Sequence, residues 1–103
     1  MGYVEDIQVY TDNVDEDVVA AMENTYRLVL SQPDAAYVAY TDPEELETVK
    51  KNFLIGKLGL SPDDDLDGAI EVVGEKMKGV NRKNRLVVYY LLADHLGKLD
   101  KLR

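Results

Sequence analysis

The sequence predicts an all-α fold: five helical segments in one domain over residues 1–103, with the C-terminal helix central. Three observations carry that prediction. Apolar residues recur three or four apart through most of the chain, the spacing that gathers them on one face of a helix. Prolines and glycines fall mostly at the ends of those stretches, where a helix needs a start or a stop. Residues 86–93 are apolar without interruption, which suits a helix covered on several sides.

The first segment is short, with Tyr3, Ile7 and Tyr10 on one face, and Asp12 and Asn13 break it. The second starts at Asp15, an N-cap followed by Glu16 and Asp17 in the positive first turn. Its stripe is Val18, Met22, Tyr26 and Val29, widened by Val19 and Leu30. Pro33 ends it by biasing Gln32 away from the helical region. Residues 34–40 are ambiguous: Ala35, Ala36 and Ala39 favour helix, whereas Tyr37, Val38 and Tyr40 also suit a strand. A short helix or turn that packs one or two tyrosines is expected there.

Asp42, Pro43 and Glu45 then supply a cap, a first-position proline and a third-position carboxylate, the clearest local signal in the chain. Leu46, Val49, Phe53 and Leu58 form the stripe that Gly59 terminates. Ser61 and Pro62 are expected to restart a helix by the same logic. Its buried face is Leu66, Ile70, Val73, Met77 and Val80, and Gly79 and Asn81 close it. The final helix runs from Arg82 or Arg85 to Leu96 and stops at Gly97. A buried strand competes for residues 86–93, and length decides for helix.

An apolar fraction of 46% supports a real core. No run approaches the ~18 apolar residues of a membrane span, and the start of the chain lacks the basic and apolar regions of a secretory signal. Without cysteine there is no disulfide framework, thiolate nucleophile or cysteine-based zinc site, and a reducing cytoplasm is the expected setting. A net charge of −8 argues against general nucleic-acid binding. That charge is lopsided. Residues 1–75 hold 18 acids against 4 bases, whereas residues 76–103 hold 2 against 8.

From Val49 onward the chain resembles a known family. The residues concerned are Val49, Asn52-Phe53-Leu54, Lys57-Leu58-Gly59-Leu60 and Leu66-Asp67-Gly68-Ala69-Ile70, then Glu75-Lys76-Met77-Lys78, Arg82-Lys83-Asn84-Arg85 and Tyr89-Tyr90-Leu91-Leu92-Ala93. Together they resemble a family of small bacterial proteins catalogued only as a domain of unknown function. About half the chain matches well, residues 34–45 loosely, and the first 30 hardly at all. The resemblance implies an all-helical fold with helices paired much as in EF-hand domains, and it transfers no catalytic residues; with the five segments above, the expected architecture is a five-helix orthogonal bundle. Gly56 stands where the resemblance leads one to expect a lysine.

Two constellations bear on chemistry. Asp63, Asp65, Asp67, Gly68 and Ile70 fit the opening of a calcium loop, with carboxylates at positions one, three and five, the turning glycine at six and an inward apolar residue at eight. Position twelve needs a bidentate glutamate, yet Gly74 stands there and Glu75 comes one residue late. The same acids suit the negative first turns of a helix running through Gly68. The two readings exclude each other; the helix is preferred, and neither a metal nor a cofactor is assigned. The second constellation is basic: Lys76, Lys78, Arg82, Lys83 and Arg85. Lysines at the end of the fourth helix complement its dipole, whereas arginines at the start of the fifth crowd an end that is already positive. They either hold an anion or an acidic partner surface, or pair with Glu44, Glu47 or the acids of 63–67, or stay solvated.

His95 is the only histidine, and Ser31 and Ser61 sit at helix boundaries, so no catalytic triad assembles. Tyr37, Tyr40, Tyr89 and Tyr90 either line a groove or sit at the core boundary with their hydroxyls at water. The expected function is a non-catalytic binding or interaction module with the basic end as contact surface, for a protein partner or small anion, with homodimerisation an option. The alternative is a degenerate, weak calcium-binding protein using the segment from Asp63 to Glu75. An enzyme is disfavoured by the missing nucleophile and metal ligands.

Overall fold

Asp15, Asp42, Asp65 and Asn84 each turn a side-chain oxygen back onto free backbone N–H groups, and each of these caps opens a helix in the computed structural model. The structure describes residues 3–32, 35–80 and 83–102. Helices α1 (Tyr3–Gln8), α2 (Glu16–Thr25) and α3 (Arg27–Leu30) precede the short strand β1 (Tyr37–Val38). Helix α4 (Pro43–Thr48) runs on into a π-helical stretch, Val49–Ile55. Then come α5 (Leu66–Lys76), β2 (Lys83–Asn84), α6 (Arg85–His95) and a closing 3-10 turn, Leu99–Leu102. The two strands pair antiparallel, Tyr37 opposite Asn84 and Val38 opposite Lys83.

The molecule is mainly helical, as the apolar spacing predicts, and α6 lies at its centre. All eight residues of 86–93 are buried, and α6 packs against α1, α2, α5, both strands and the closing turn. Tyr90 is fully buried, and its hydroxyl accepts the Asp15 N–H at 2.8 Å, tying the centre of the core to the cap of α2. Tyr89 stacks on Phe53 with ring centroids 4.0 Å apart. Each large apolar side chain so buried contributes about 1.5–3 kcal/mol. The predicted stripes of the other helices join the same cluster through Ile7, Val18, Met22, Val49, Leu58, Leu66, Ile70, Val73 and Met77.

Three expectations are corrected. Six α-helices replace five among the described residues, because the stretch that begins at Asp15 breaks at Tyr26 (φ −104, ψ 14), whose ring meets Tyr89 edge-on at 5.4 Å. The ambiguous stretch after Leu30 becomes strand β1 rather than a helical turn; Pro33 and Asp34 lie outside the described residues. Ser61 and Pro62 form a closed turn instead of starting a helix. There Asp64 Oδ2 accepts the Ser61 N–H and Ser61 Oγ accepts the Asp63 N–H, so α5 waits for Asp65 as its cap. Of the two starts expected for the final helix, the structure has the one at Arg85, which Asn84 caps; Asn81 and Arg82 lie outside the described residues. The departure at Gly56 also has a physical cause. A Cβ there would sit 2.8 Å from the Asn52 carbonyl oxygen at the exit of the π-helical stretch, so a lysine would not fit.

Candidate functional site

The basic cluster spans the end of α5, the connection that follows and the start of α6, and the structure divides its members sharply. Arg85 points inward. Its Nε donates to the Ala35 carbonyl at 2.6 Å, Nη1 to the Tyr89 hydroxyl at 2.8 Å and Nη2 to Glu45 Oε1 at 2.6 Å. Its backbone N–H extends the strand ladder to the Ala36 carbonyl at 2.7 Å. Burial opposes the guanidinium charge, but Tyr89 and Glu45 outweigh it, so the pKa of Arg85 is raised. This side chain clasps β1, α4 and α6 together and is engaged almost completely by the fold.

Lys78 and Lys83 face outward. Lys83 is half-buried, donates Nζ to the Val80 carbonyl at 2.8 Å and lies 5.3 Å over the Tyr40 ring. Lys78 is exposed just past the end of α5, where its charge suits the negative helix end. The two lysines line a cleft of about 680 Å³ with Tyr40, Leu46, Ile70, Glu71, Gly74, Glu75 and Gly79. Lys76 lies round the helix in a second depression of about 580 Å³ that it shares with Asp65, Gly68, Val72, His95 and the same two glutamates. The sequence-predicted cluster is therefore dispersed: Lys78 and Lys83 meet, Lys76 is on the next face, Arg85 is inside, and Arg82 lies outside the described residues.

Tyr40 and Gly74 build the cleft wall. The Tyr40 hydroxyl donates to the Ile70 carbonyl at 3.0 Å, and burial pushes its pKa up to about 12. A Cβ at Gly74 would lie 2.9 Å from the ring, so glycine leaves the room that Tyr40 occupies against α5. In the sequence Gly74 reads as a missing calcium ligand; its physical role is to make room for a side chain 34 positions earlier.

The acidic segment follows the helical reading. Helix α5 passes through Gly68 unbroken, and Asp65 Oδ1 accepts the Gly68 N–H at 3.0 Å as its cap. Asp67 pairs with Lys50 at 2.9 Å, and Lys50 also pairs with Glu47 at 2.8 Å, pinning the π-helical stretch to the start of α5. Two of the three carboxylates needed by a calcium loop are thus turned to other work. Among the described residues, no group of three or more His, Asp or Glu side chains is placed to hold a metal. This geometry gives no support to the calcium alternative over Asp63 to Glu75.

The tyrosines also separate. Tyr89 and Tyr90 are core residues, Tyr40 lines the α5 cleft, and Tyr37 borders a smaller depression of about 320 Å³ with Val9, Tyr10 and Val80. No helix among the described residues is long and apolar enough to cross a membrane.

A family model described as "Protein of unknown function (DUF2853)" matches residues 2–100. The likeness therefore extends over nearly the whole chain, including the first 30 residues, which showed little of it. No curated protein matches the chain.

Proposed function

Because the chain belongs to this family of unknown function, its role has to be read from its own surface, and we propose that it is a non-catalytic interaction module whose contact surface is the α5 cleft. One observation carries the proposal. The cleft joins apolar side chains to Glu71, Glu75 and Lys78, which no ion pair among the described residues occupies, whereas the neighbouring Arg85 is engaged almost completely. The occupant is a protein segment rather than a small free anion. The negative end of α5 and the carboxylates of Glu71 and Glu75 repel a bare anion from Lys78 and Lys83. A segment offering a carboxylate to the lysines and an apolar side chain to Tyr40 and Leu46 satisfies both parts of the cleft. Lys76 extends the basic end on the adjoining face.

The architecture behind the cleft is read as an EF-hand-like pairing in one domain of the reducing cytoplasm. Supporting the pairing, α2–α3 and α4 flank β1 while α5 and α6 flank β2, so two helix–loop–helix units meet through their loops as antiparallel strands.

Affinity capture from native cell extract tests the module. The chain should retain a protein that a Lys78→Glu/Lys83→Glu variant loses and a Lys51→Glu/Lys57→Glu variant, altered at two exposed lysines elsewhere, keeps. Equal retention by all three would place the contact surface somewhere other than the cleft.

A further inference from the structure

We infer that the α5 cleft docks a second copy of this chain about a two-fold axis, an inference that rests on the cleft being the contact surface. A two-fold interface uses the same patch on both copies, so that patch must complement itself. The cleft meets this demand. Glu71, Glu75, Lys78 and Lys83 line it together with the apolar Tyr40 and Leu46, so both signs of charge and an apolar surface share one patch. A half-turn that sets the acids of one copy against the bases of the other makes the same contact a second time.

The charges are also left unpaired within one copy. Glu71 and Glu75 sit one turn apart on α5, a like-charge spacing that weakens a helix by itself. Lys78 follows Glu75 at a spacing that permits an ion pair, yet among the described residues none of these three has an ion-pair partner. Lys50 and Arg85, by contrast, have found theirs. The division of the sequence into an acidic part ending at Glu75 and a basic part starting at Lys76 runs through the end of α5 that lines this cleft. One patch therefore contains both signs on a chain whose net charge of −8 would otherwise keep copies apart.

Sedimentation equilibrium of the 103-residue chain is the test. Wild type is expected at twice the monomer mass of 11.6 kDa. Lys78→Glu/Lys83→Glu and Glu71→Lys/Glu75→Lys should each weaken association about a hundredfold or more, because like charges then face each other. An equimolar mixture of the two variants should recover a two-chain species, since one patch is now acidic and the other basic. Far- and near-ultraviolet circular dichroism shows that each variant keeps the wild-type fold; Glu71 and Glu75 are exposed, so the second pair keeps the test available if Lys83 matters to folding. A wild type monomeric at every concentration, a dimer indifferent to both reversals, or a mixture of folded variants that stays monomeric would each overturn the inference. If self-association fails while capture from extract still depends on Lys78 and Lys83, the module stands and its occupant is another protein.

Discussion

Lys83 and Arg85 are two residues apart, both basic and both at the junction of β2 with α6, yet the fold uses them in opposite ways. Arg85 reaches across to Ala35, Glu45 and Tyr89, with a side chain only 12% exposed, and holds three elements in place. Lys83 turns the other way, over Tyr40 and onto the rim of the α5 cleft. The guanidinium fork can satisfy several acceptors at once in a confined space, whereas an ammonium on a flexible stem tolerates the edge of water. A run of positive charge in a sequence is thus no single object. Its members divide into those that build the fold and those that the fold displays.

The comparison can be broken or sharpened by experiment. The largest effect is expected at the clasp: Arg85→Ala should cost about 3–5 kcal/mol in chemical denaturation, because Glu45 is left half-buried without its partner. Arg85→Lys should recover only part of that, since a point charge cannot serve Ala35, Glu45 and Tyr89 together. An undiminished midpoint in Arg85→Ala would erase the distinction between the two residues.

At the cleft, Gly74→Ala should cost about 1–2 kcal/mol, from forcing a methyl against the Tyr40 ring. With Tyr40→Ala as background the same change should stabilise by up to about 1 kcal/mol, the gain of alanine over glycine in a helix. A double-mutant cycle reads the change of sign. Next, Asp65→Ala should cost about 1 kcal/mol through loss of the α5 cap. Added calcium should leave the melting temperature of both wild type and variant where it was; a rise in wild type alone would restore the ion loop.

Alkaline pH probes the buried hydroxyls. Burial raises Tyr40 and Tyr26 from the ordinary value to about 12, with Tyr89 adding to the effect at Tyr26. The unfolded chain therefore releases these protons first. Their contribution to stability is fully present below about pH 10 and is lost as the pH rises towards 12. Thermal melts should fall across that window, and less steeply in Tyr40→Phe. The smallest effect is expected at the displayed residue: Lys78→Glu should change folding stability by no more than about 0.5 kcal/mol, whatever it does to association.

What was legible in the sequence was local. The caps at Asp15 and Asp42 depend on residues two or three positions away, and the burial of residues 86–93 follows from their own composition. What was hidden depends on partners far along the chain. Strand β1 is extended because Lys83 and Asn84 lie opposite it, and the break at Tyr26 belongs to a ring contact with Tyr89. The partner of Arg85 shows the limit well. The sequence offers Glu44, Glu47 and the acids of 63–67, yet Glu44 and Glu47 are exposed and Glu45 between them faces inward; helix phase decides which carboxylate of α4 meets the arginine. The cleft was harder still, because its most telling residue, Gly74, is defined by what it leaves out.

The bond from the Asp15 amide to the Tyr90 hydroxyl has a practical consequence. It joins the edge of the molecule to its interior through one exchangeable proton. Deuterium uptake at Asp15 should therefore be governed by the seating of α6 and not by fraying of the nearby surface, giving a single-site gauge of how often the centre opens.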